Sequence, residues 1–294
     1  MNMPVSETSR GKVSRLKATG DPSWVRAVCI GLTLGFIALM LLLPMIVVFT
    51  EAFRKGLHVY FAAITEADAR AAIRLTLLAA GIAVPLNTLF GLAAGWCIAR
   101  FRFPGRNFLT AMIDLPFSVS PVVAGLLFVL LFGSGGLLAA AARWAGIQVL
   151  FAVPGIVLAT MFVTLPFVAR ELIALMQEQG DEEEMAAMVL GANGLQTFWR
   201  VTLPNIRWGL LYGMILCNAR AMGEFGAVSV VSGHIRGVTN TLPLHVEILF
   251  NEYNFAASFA AASLLTVLAL VTLVIKTLIE WREQYKTSTD VLES

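Results

Sequence analysis

The sequence predicts an all-α, polytopic membrane protein with six transmembrane helices. Of its 294 residues, 58% are hydrophobic and 14% are charged, and the mean hydropathy is +0.79, which is more apolar than an average soluble domain. The apolar residues fall into continuous runs of about 20, the length that crosses a bilayer as a helix. Alternating ten-residue segments, which are typical of outer-membrane barrels, do not dominate the sequence.

Six apolar runs are long enough to span the membrane. They are Ala27–Thr50, Leu75–Ala99, Phe108–Phe132, Leu150–Ala169, Trp208–Ser232 and Ala256–Ile275. We expect one transmembrane domain over 27–280, between a basic tail at 1–26 and a second tail at 281–294. The sequence predicts no attached soluble domain, so a soluble catalytic partner is expected to be a separate chain.

The distribution of Lys and Arg predicts how the chain is oriented, because these residues accumulate in cytoplasmic segments. With the N-terminus inside, 14 of the 21 fall in inner segments and 6 in outer segments, and Arg220 lies within a span. The Arg100–Arg106 turn alone contains three arginines. Both termini and the Arg170–Arg207 loop are therefore expected in the cytoplasm. The first run lacks a small-residue cleavage pattern and is interpreted as a retained span.

The polar Arg170–Arg207 loop separates two apolar runs and is expected to form a docking element for a soluble partner. Asp181 is a suitable helix N-cap, and Glu184 three residues later predicts a capping box. Gly191 or the Asn193-Gly194 pair is expected to end this short helix, because both accept a left-handed conformation.

A second helical piece is predicted from about Leu195. We expect it to end at Leu203-Pro204, because proline lacks the backbone donor of a continuing helix. An alternative interpretation is an amphipathic helix that rests on the membrane surface.

Charged residues inside the spans are informative, because an ionised side chain at membrane depth costs on the order of 3 kcal/mol. Arg220 and Glu224 are four residues apart and are expected to share a helix face. They are interpreted either as a neutralising pair that fixes helix packing or as part of a polar path in which Arg220 favours an anion. Ser229 and Ser232 follow in the same span as further candidates.

The third span contains Asp114, followed by two serines, Ser118 and Ser120, between Pro116 and Pro121. Proline interrupts intrahelical hydrogen bonds, so a broken helix is expected here. Such a break either borders a translocation cavity, as half-helix ends do in transporters, or only shapes the packing. Asp114, Ser118 and Ser120 are therefore candidates for the path.

Several chemistries are not predicted. The phosphate-binding pattern G-x-x-x-x-G-K-[ST] is absent from the sequence, so the chain is expected to bind no ATP. Its three histidines and three cysteines do not have the spacing of a zinc site or of a disulfide framework. We expect a non-catalytic chain with no cofactor, which contacts the lipid bilayer and no nucleic acid.

The polar loop resembles the EAA loop of bacterial ABC importer permeases. The resemblance depends on Ala186-Ala187, Gly191, Val201 ten residues later, and Leu203-Pro204, with Met185 at the family's glutamate position. It implies that the 182–198 region inserts into a cytoplasmic ATPase that binds the ATP. The implied coupling residues are Glu184, Ala186, Ala187, Gly191, Phe198, Leu203 and Pro204.

Three further segments, Asp114–Gly125, Asn218–Ala227 and Val228–Gly237, resemble permeases of oxyanion importers. The Ser-Gly-x-Ile-Arg-Gly run in the last segment is similar to the CysW-type subunits of sulfate/thiosulfate importers. The resemblance covers roughly 75–285 and implies a type I ABC importer permease fold. The implied path or gate residues are Asp114, Ser118, Ser120, Arg220, Glu224, Ser229 and Ser232.

The resemblance implies a multi-pass subunit of the bacterial inner membrane that imports sulfate or thiosulfate. Its implied partners are a second related permease, two copies of a cytoplasmic ATPase and a periplasmic sulfate-binding protein. The sequence leaves open which of the two anions is carried and whether the second permease is identical or different. A molybdate or tungstate permease, an ion-gradient-driven transporter and a structural scaffold are the alternatives.

Overall fold

All regular elements are helices in a computed structural model of the chain, which describes residues 23–293 and the side chains of residues 24–278. Of the predicted tail at 1–26, residues 1–22 lie outside the described residues. The side chains of the second predicted tail, 281–294, also lie outside them. The α-helices are α1 (Ser23–Ile37), α2 (Leu43–Phe53), α3 (Leu57–Thr65), α4 (Ala67–Arg100), α5 (Arg106–Ser118), α6 (Pro121–Phe132), α7 (Ala139–Trp144), α8 (Val153–Gln179), α9 (Glu182–Val189), α10 (Gly194–Thr197), α11 (Leu203–Met222), α12 (Gly226–Ser232), α13 (Leu242–Asn251) and α14 (Phe255–Glu293).

The described residues up to Val47 form one compact unit, and those from Val48 onward form a second. The first unit contains α1, a π-helical turn at Ala38–Leu42 and the start of α2. Its helices belong to a candidate span, Trp24–Phe53, with a mean hydropathy of 2.7. This span confirms the first predicted run, with ends shifted by three residues.

The second unit is built around α4, α8 and α11, which bury one shared apolar cluster. Gly91 on α4 allows a close approach, because a Cβ there would lie 2.8 Å from the Val168 Cβ of α8. Small residues commonly permit such contacts between membrane helices. The buried Asn87 amide donates to the Met161 carbonyl, at 3.0 Å, and to the Thr164 hydroxyl, at 2.8 Å, so it joins α4 to α8.

The number of candidate spans agrees with the predicted six when each of two bent helix pairs is counted as one broken span. Within residues 23–293, four helices are long and apolar enough to cross a membrane, and the two bent pairs bring the total to at most six. The α5–α6 pair bends by 109° and the α11–α12 pair by 52°. A break was expected in the third span. None was predicted in the fifth, where the predicted run Trp208–Ser232 is interrupted between Met222 and Gly226.

The predicted polar connections contain more helix than expected. Helix α3 and the first turns of α4 occupy most of the expected loop at 51–74, and α8 extends ten residues beyond the predicted span end at Ala169. Helix α13 lies in the expected loop after Ser232, where it buries Leu242, Leu244 and Leu249. Helices α3 and α13, of 9 and 10 residues, are too short to cross a bilayer, so a search for long apolar runs does not find them.

Candidate coupling segment and translocation site

The helices α9 and α10 and a π-helical turn at Phe198–Thr202 form a continuous segment, Glu182–Thr202, which we name the coupling segment. Helix α9 ends as predicted: Gly191 follows it with a positive φ of 93°, the left-handed conformation that glycine adopts at little cost. The coupling segment is therefore a short helix, a tight turn and a second short helix.

The predicted capping box at Asp181 is wrong. Asp181 is the N-cap residue of α9, but its side chain makes no cap hydrogen bond. The capping box lies instead at the start of α10, where the Asn193 side chain accepts from the Gln196 N–H, at 2.8 Å, and Gln196 Oε1 accepts from the Asn193 N–H, at 3.0 Å. The Asn-x-x-Gln pattern was available in the sequence as an indication of this cap.

The expected helix end at Leu203-Pro204 is also wrong. The π-helical turn leads directly into α11, and the Leu203 N–H donates to the Phe198 carbonyl. Pro204 lies in the first turn of α11, where a missing backbone donor is tolerated. Phe198 anchors the turn, because its ring lies 4.9 Å from the ring of Trp96 on α4. The coupling segment thus continues into the fifth span.

Glu184 is buried, although it lies in the first turn of an otherwise exposed helix. Its Oε2 forms an ion pair with Nε of Arg100, at 2.7 Å, and its Oε1 accepts from the Thr202 hydroxyl, at 2.6 Å. Arg100 also donates to the Met176 carbonyl, at 2.6 Å. We name these four residues the Glu184 cluster. Sequence reasoning used Arg100 only as an indicator of orientation and missed its role as a partner of Glu184.

The coupling segment exposes a group of large apolar side chains, which we name the apolar tip. Its members are Met188, Val189, Leu190, Leu195 and Trp199. Val189 and Leu190 are 87% and 88% exposed. Of the other predicted coupling residues, Ala186 and Pro204 are exposed, whereas Ala187 and Leu203 are half-buried. Exposed large apolar side chains concentrated in one short segment commonly mark an interaction site.

Two cavities flank the base of the coupling segment. One, of about 230 Å³, is mainly apolar, and its lining includes Trp96, Phe101, Met185, Met188 and Phe198. The other, of about 540 Å³, is mainly polar, and its lining includes Arg100, Gln179, Glu183, Thr202 and Asn205. The Arg100–Glu184 ion pair lies where the two cavities meet, because both residues line both of them.

The breaks in the third and fifth spans lie side by side. Pro121 begins α6 and Gly226 begins α12, and a Cβ on Gly226 would lie 2.9 Å from the Pro121 Cβ. A Cβ on Gly125 would likewise lie 2.7 Å from the Ala227 carbonyl oxygen. Of the two bracketing prolines, only Pro121 coincides with the break, since Pro116 lies within α5. Sequence reasoning did not predict that the two breaks meet.

The Arg220–Glu224 pair lies at the break between α11 and α12. Arg220 Nη1 is 2.7 Å from Glu224 Oε2, and the two side chains are 34% and 1% exposed. Glu224 Oε1 also accepts from the Ala227 N–H, at 2.9 Å. The predicted pair is confirmed, but its stated reason is wrong: α11 ends at Met222, so the two residues do not share a helix face. The pair leaves the Arg220 side chain partly accessible.

Asp114 lies away from the break and joins two spans. Its carboxylate accepts from Nε and Nη2 of Arg170 on α8, at 2.6 and 3.0 Å. The Arg170 guanidinium also lies 5.3 Å from the centre of the Phe117 ring. The bidentate geometry is the stronger kind of carboxylate–arginine contact. Asp114 therefore fixes α5 against α8 near the end of α8 that leads to the coupling segment.

The four candidate serines fall into two groups. Ser118 and Ser120 are exposed at the break between α5 and α6. Ser229 donates to the Gly226 carbonyl, at 2.8 Å, and the buried Ser232 hydroxyl accepts from the His234 N–H, at 3.2 Å. The hydroxyls on α12 thus have partners within the chain, whereas those at the first break face outward.

Comparison with known proteins identifies relatives over most of the chain. A family model described as a binding-protein-dependent transport system inner membrane component matches residues 87–284. The sulfate transport system permease protein CysW of Synechocystis sp. is 55% identical over 259 residues, which are 88% of this chain and 94% of that protein. The sulfate transport system permease protein CysT of Salmonella typhimurium is 36% identical over 244 residues, 83% and 88% of the two chains.

A solved structure supports the same fold. A chain of a bacterial alginate ABC transporter, in complex with an alginate pentasaccharide-bound periplasmic protein, aligns with a TM-score of 0.74 at 18% identity. The alignment covers 88% of this chain and 95% of that chain. The expected type I ABC importer permease fold is confirmed, and so is the resemblance to CysW-type permeases.

Proposed function

Because the chain belongs to the family of binding-protein-dependent transport system inner membrane components, we propose that it is the membrane-spanning permease of an ATP-driven importer of sulfate and thiosulfate. The bacterial inner membrane is the proposed location, with both termini in the cytoplasm. The sulfate permease names of relatives at 55% and 36% identity support the substrate. The chain itself supplies a path and a docking element, and ATP hydrolysis belongs to separate subunits.

The observation that carries this proposal is the apolar tip of the coupling segment. Val189 and Leu190 are almost fully exposed, in a loop whose neighbouring residues Asp181, Glu182 and Glu183 are charged and exposed. Such a surface suits insertion into a groove of a soluble partner. We assign that partner as the cytoplasmic ATPase, present in two copies, one for this permease and one for its related second permease.

The geometry offers a route from the docking surface to the path. Helix α11 begins where the coupling segment ends and runs 20 residues to the break at Gly223, a distance of about 30 Å. When the ATPases close on ATP, motion of the coupling segment is transmitted along α11 to the Arg220–Glu224 pair. The adjacent breaks then open toward the binding protein, which releases its anion into the path.

Arg220 is the proposed contact for the translocated anion. Its pairing with Glu224 offsets the cost of the charge at membrane depth, while its accessible side leaves donors for an oxyanion. The two exposed serines at the neighbouring break, Ser118 and Ser120, supply hydroxyl donors. Neutral pairing suits transient contact rather than tight retention, so the proposed selectivity resides mainly in the periplasmic binding protein.

Sulfate uptake in cells that lack this chain, with and without its return, tests the proposal. We expect uptake of labelled sulfate to be lost without the chain and restored with it, and to cease when ATP is depleted. Uptake that persists without ATP but collapses with the ion gradient would instead indicate a secondary transporter.

The second candidate substrate class is molybdate or tungstate. Purified importer in liposomes, loaded with the binding protein, should hydrolyse ATP faster with sulfate or thiosulfate than with molybdate. Stimulation by molybdate alone would reassign the substrate while leaving the permease assignment in place.

A further inference from the structure

The Glu184 cluster joins four elements through the Glu184 carboxylate and the Arg100 guanidinium. Arg100 is the last residue of α4, Met176 belongs to α8, Glu184 to α9, and Thr202 to the turn before α11. The Arg100 and Glu184 side chains are 12% and 10% exposed. Helix α9 is therefore attached by an ion pair to the end of α4, through Arg100 to α8, and by a hydrogen bond to the turn that continues into α11. These are the three spans that form the shared apolar cluster.

Burial makes this attachment hard to release. A buried ion pair is stable only while both partners remain, because separating them leaves an uncompensated charge away from water. Each Glu184 oxygen has its own partner, Arg100 or Thr202. A movement of α9 that left α4 and the π-helical turn behind would break both contacts at once.

The neighbouring positions show that this burial is specific. Glu182 and Glu183 are exposed in the same turn, and Met185 is 47% exposed. Position 185 is where the resemblance places the glutamate of related loops. In this chain the carboxylate lies one residue earlier and points into the protein, so the contact that it makes is internal.

We propose that Glu184, Arg100 and Thr202 are positioning residues that make the coupling segment move as one body with α4, α8 and α11. The inference depends on the proposed function, since it concerns how motion of the ATPase reaches the spans. The apolar tip contacts the ATPase, and the Glu184 cluster transmits the displacement. Weakening the cluster should therefore reduce transport per ATP without preventing the ATPase from binding.

The test uses the complete importer reconstituted in liposomes, with sulfate uptake and ATP hydrolysis measured on the same preparation. Glu184→Gln and Thr202→Val each weaken one contact of the cluster, and Glu178→Gln, at an exposed position of α8 outside the coupling segment, is the control. We expect sulfate moved per ATP to fall about fivefold in both cluster variants, within the range for residues that couple distant sites. The control should retain the parental ratio.

A reversed ion pair checks that the effect comes from the contact itself. Arg100→Glu combined with Glu184→Arg should recover part of the ratio that either single change loses. A parental ratio in both Glu184→Gln and Thr202→Val would overturn the inference. Loss of ATPase co-purification in these variants would also overturn it, because the cluster would then serve docking.

Failure of the proposed function would look different. In that case the unsubstituted importer would show no ATP-driven sulfate uptake at all. Should Glu184→Gln fail to fold, Thr202→Val decides the matter alone, since it removes one hydroxyl and changes the side-chain volume little.

Discussion

At the scale of single residues, Glu184 and Met185 lie in different environments within the coupling segment. Glu184 is buried and contacts Arg100 and Thr202, whereas Met185 is half-exposed beside the apolar cavity. From the sequence alone, Glu184 is the glutamate in this loop that would be expected to contact the ATPase. Its burial assigns it instead to the internal attachment of the coupling segment.

Gly191 is the residue at which backbone conformation alone should affect coupling. Its φ of 93° is strained for residues with a side chain, yet a Cβ there would meet nothing within 4 Å. Gly191→Val should therefore cost about 1–2 kcal/mol through the backbone and lower sulfate uptake per ATP while membrane insertion stays intact. Uptake and hydrolysis in liposomes measure this.

Gly194→Val is the matched control for that change, because Gly194 is equally open but has no positive φ. We expect it to couple like the parent chain. Normal coupled uptake by Gly191→Val would count against the assigned role of the coupling segment.

His245 should make stability depend on pH. It is 2% exposed in α13, and neither ring nitrogen has a hydrogen-bond partner among the described residues. Burial lowers the pKa of His245 below its usual 6.5, an effect that the nearby carboxylates of Glu66 and Asp68 partly oppose. The unfolded chain thus binds the proton more readily, so stability should fall as the pH drops below about 6.5.

His245→Leu should reduce this loss, and His58→Gln, at an exposed position, should not. Thermal unfolding of the detergent-purified protein at pH 7.5 and pH 5.5 provides the comparison. An unchanged difference between the two pH values in His245→Leu would show that other groups cause the dependence.

At the scale of elements, close helix packing depends on glycines whose neighbours cannot move. A Cβ on Gly91 would lie 2.8 Å from the Val168 Cβ and 2.9 Å from the Ala169 backbone nitrogen. Gly91→Leu should force α4 away from α8 and destabilise the protein by about 3 kcal/mol or more. The melting temperature in detergent should fall markedly.

Gly81→Leu, on the same helix, provides the comparison, since a Cβ there meets nothing within 4 Å and the position suits a lipid-facing side chain. We expect its melting temperature to stay close to that of the parent. Equal losses in both variants would contradict the assigned α4–α8 contact.

The elements that could be predicted from sequence are those with a local cause. Apolar length located the six spans, Pro121 indicated the first break, and Gly191 indicated the end of α9. The break at Gly223–Phe225 has no proline. Gly226 packs against Pro121. This contact between the two breaks depends on how the helices are arranged, so the sequence pattern alone does not show it.

The misplaced capping box has a similar origin. The sequence pattern placed Glu184 as a local cap, but Arg100, 84 positions away in the chain, provides a stronger partner. The Glu184 carboxylate therefore contacts Arg100 and Thr202 and forms no capping box with Asp181. The pairing of Asp114 with Arg170 was missed for the same reason, because each residue was considered only within its own segment.

At the scale of the whole molecule, the proposed function places two sites at opposite ends of α11. The apolar tip and the Glu184 cluster lie at one end, and the Arg220–Glu224 pair and the paired breaks lie at the other. Sequence patterns identified residues at both ends. The structure connects the two ends, because α10, the π-helical turn and α11 follow one another without a break.

The central claim is that the coupling segment lies on the cytoplasmic side and is held by an ATPase. After replacement of Cys29, Cys97 and Cys217, single cysteines are introduced as Leu190→Cys in the apolar tip and Val238→Cys, 60% exposed, in the segment expected on the opposite side. A membrane-impermeant thiol reagent should label Leu190→Cys only in inside-out vesicles and Val238→Cys only in right-side-out vesicles.

Crosslinking from Leu190→Cys in the assembled importer is the most direct measurement of this claim. We expect a product with the ATPase subunit, whose yield changes when ATP is bound. Labelling of Leu190→Cys from the periplasmic side, or an assembled importer in which this residue never crosslinks to the ATPase, would contradict the assigned role of the coupling segment.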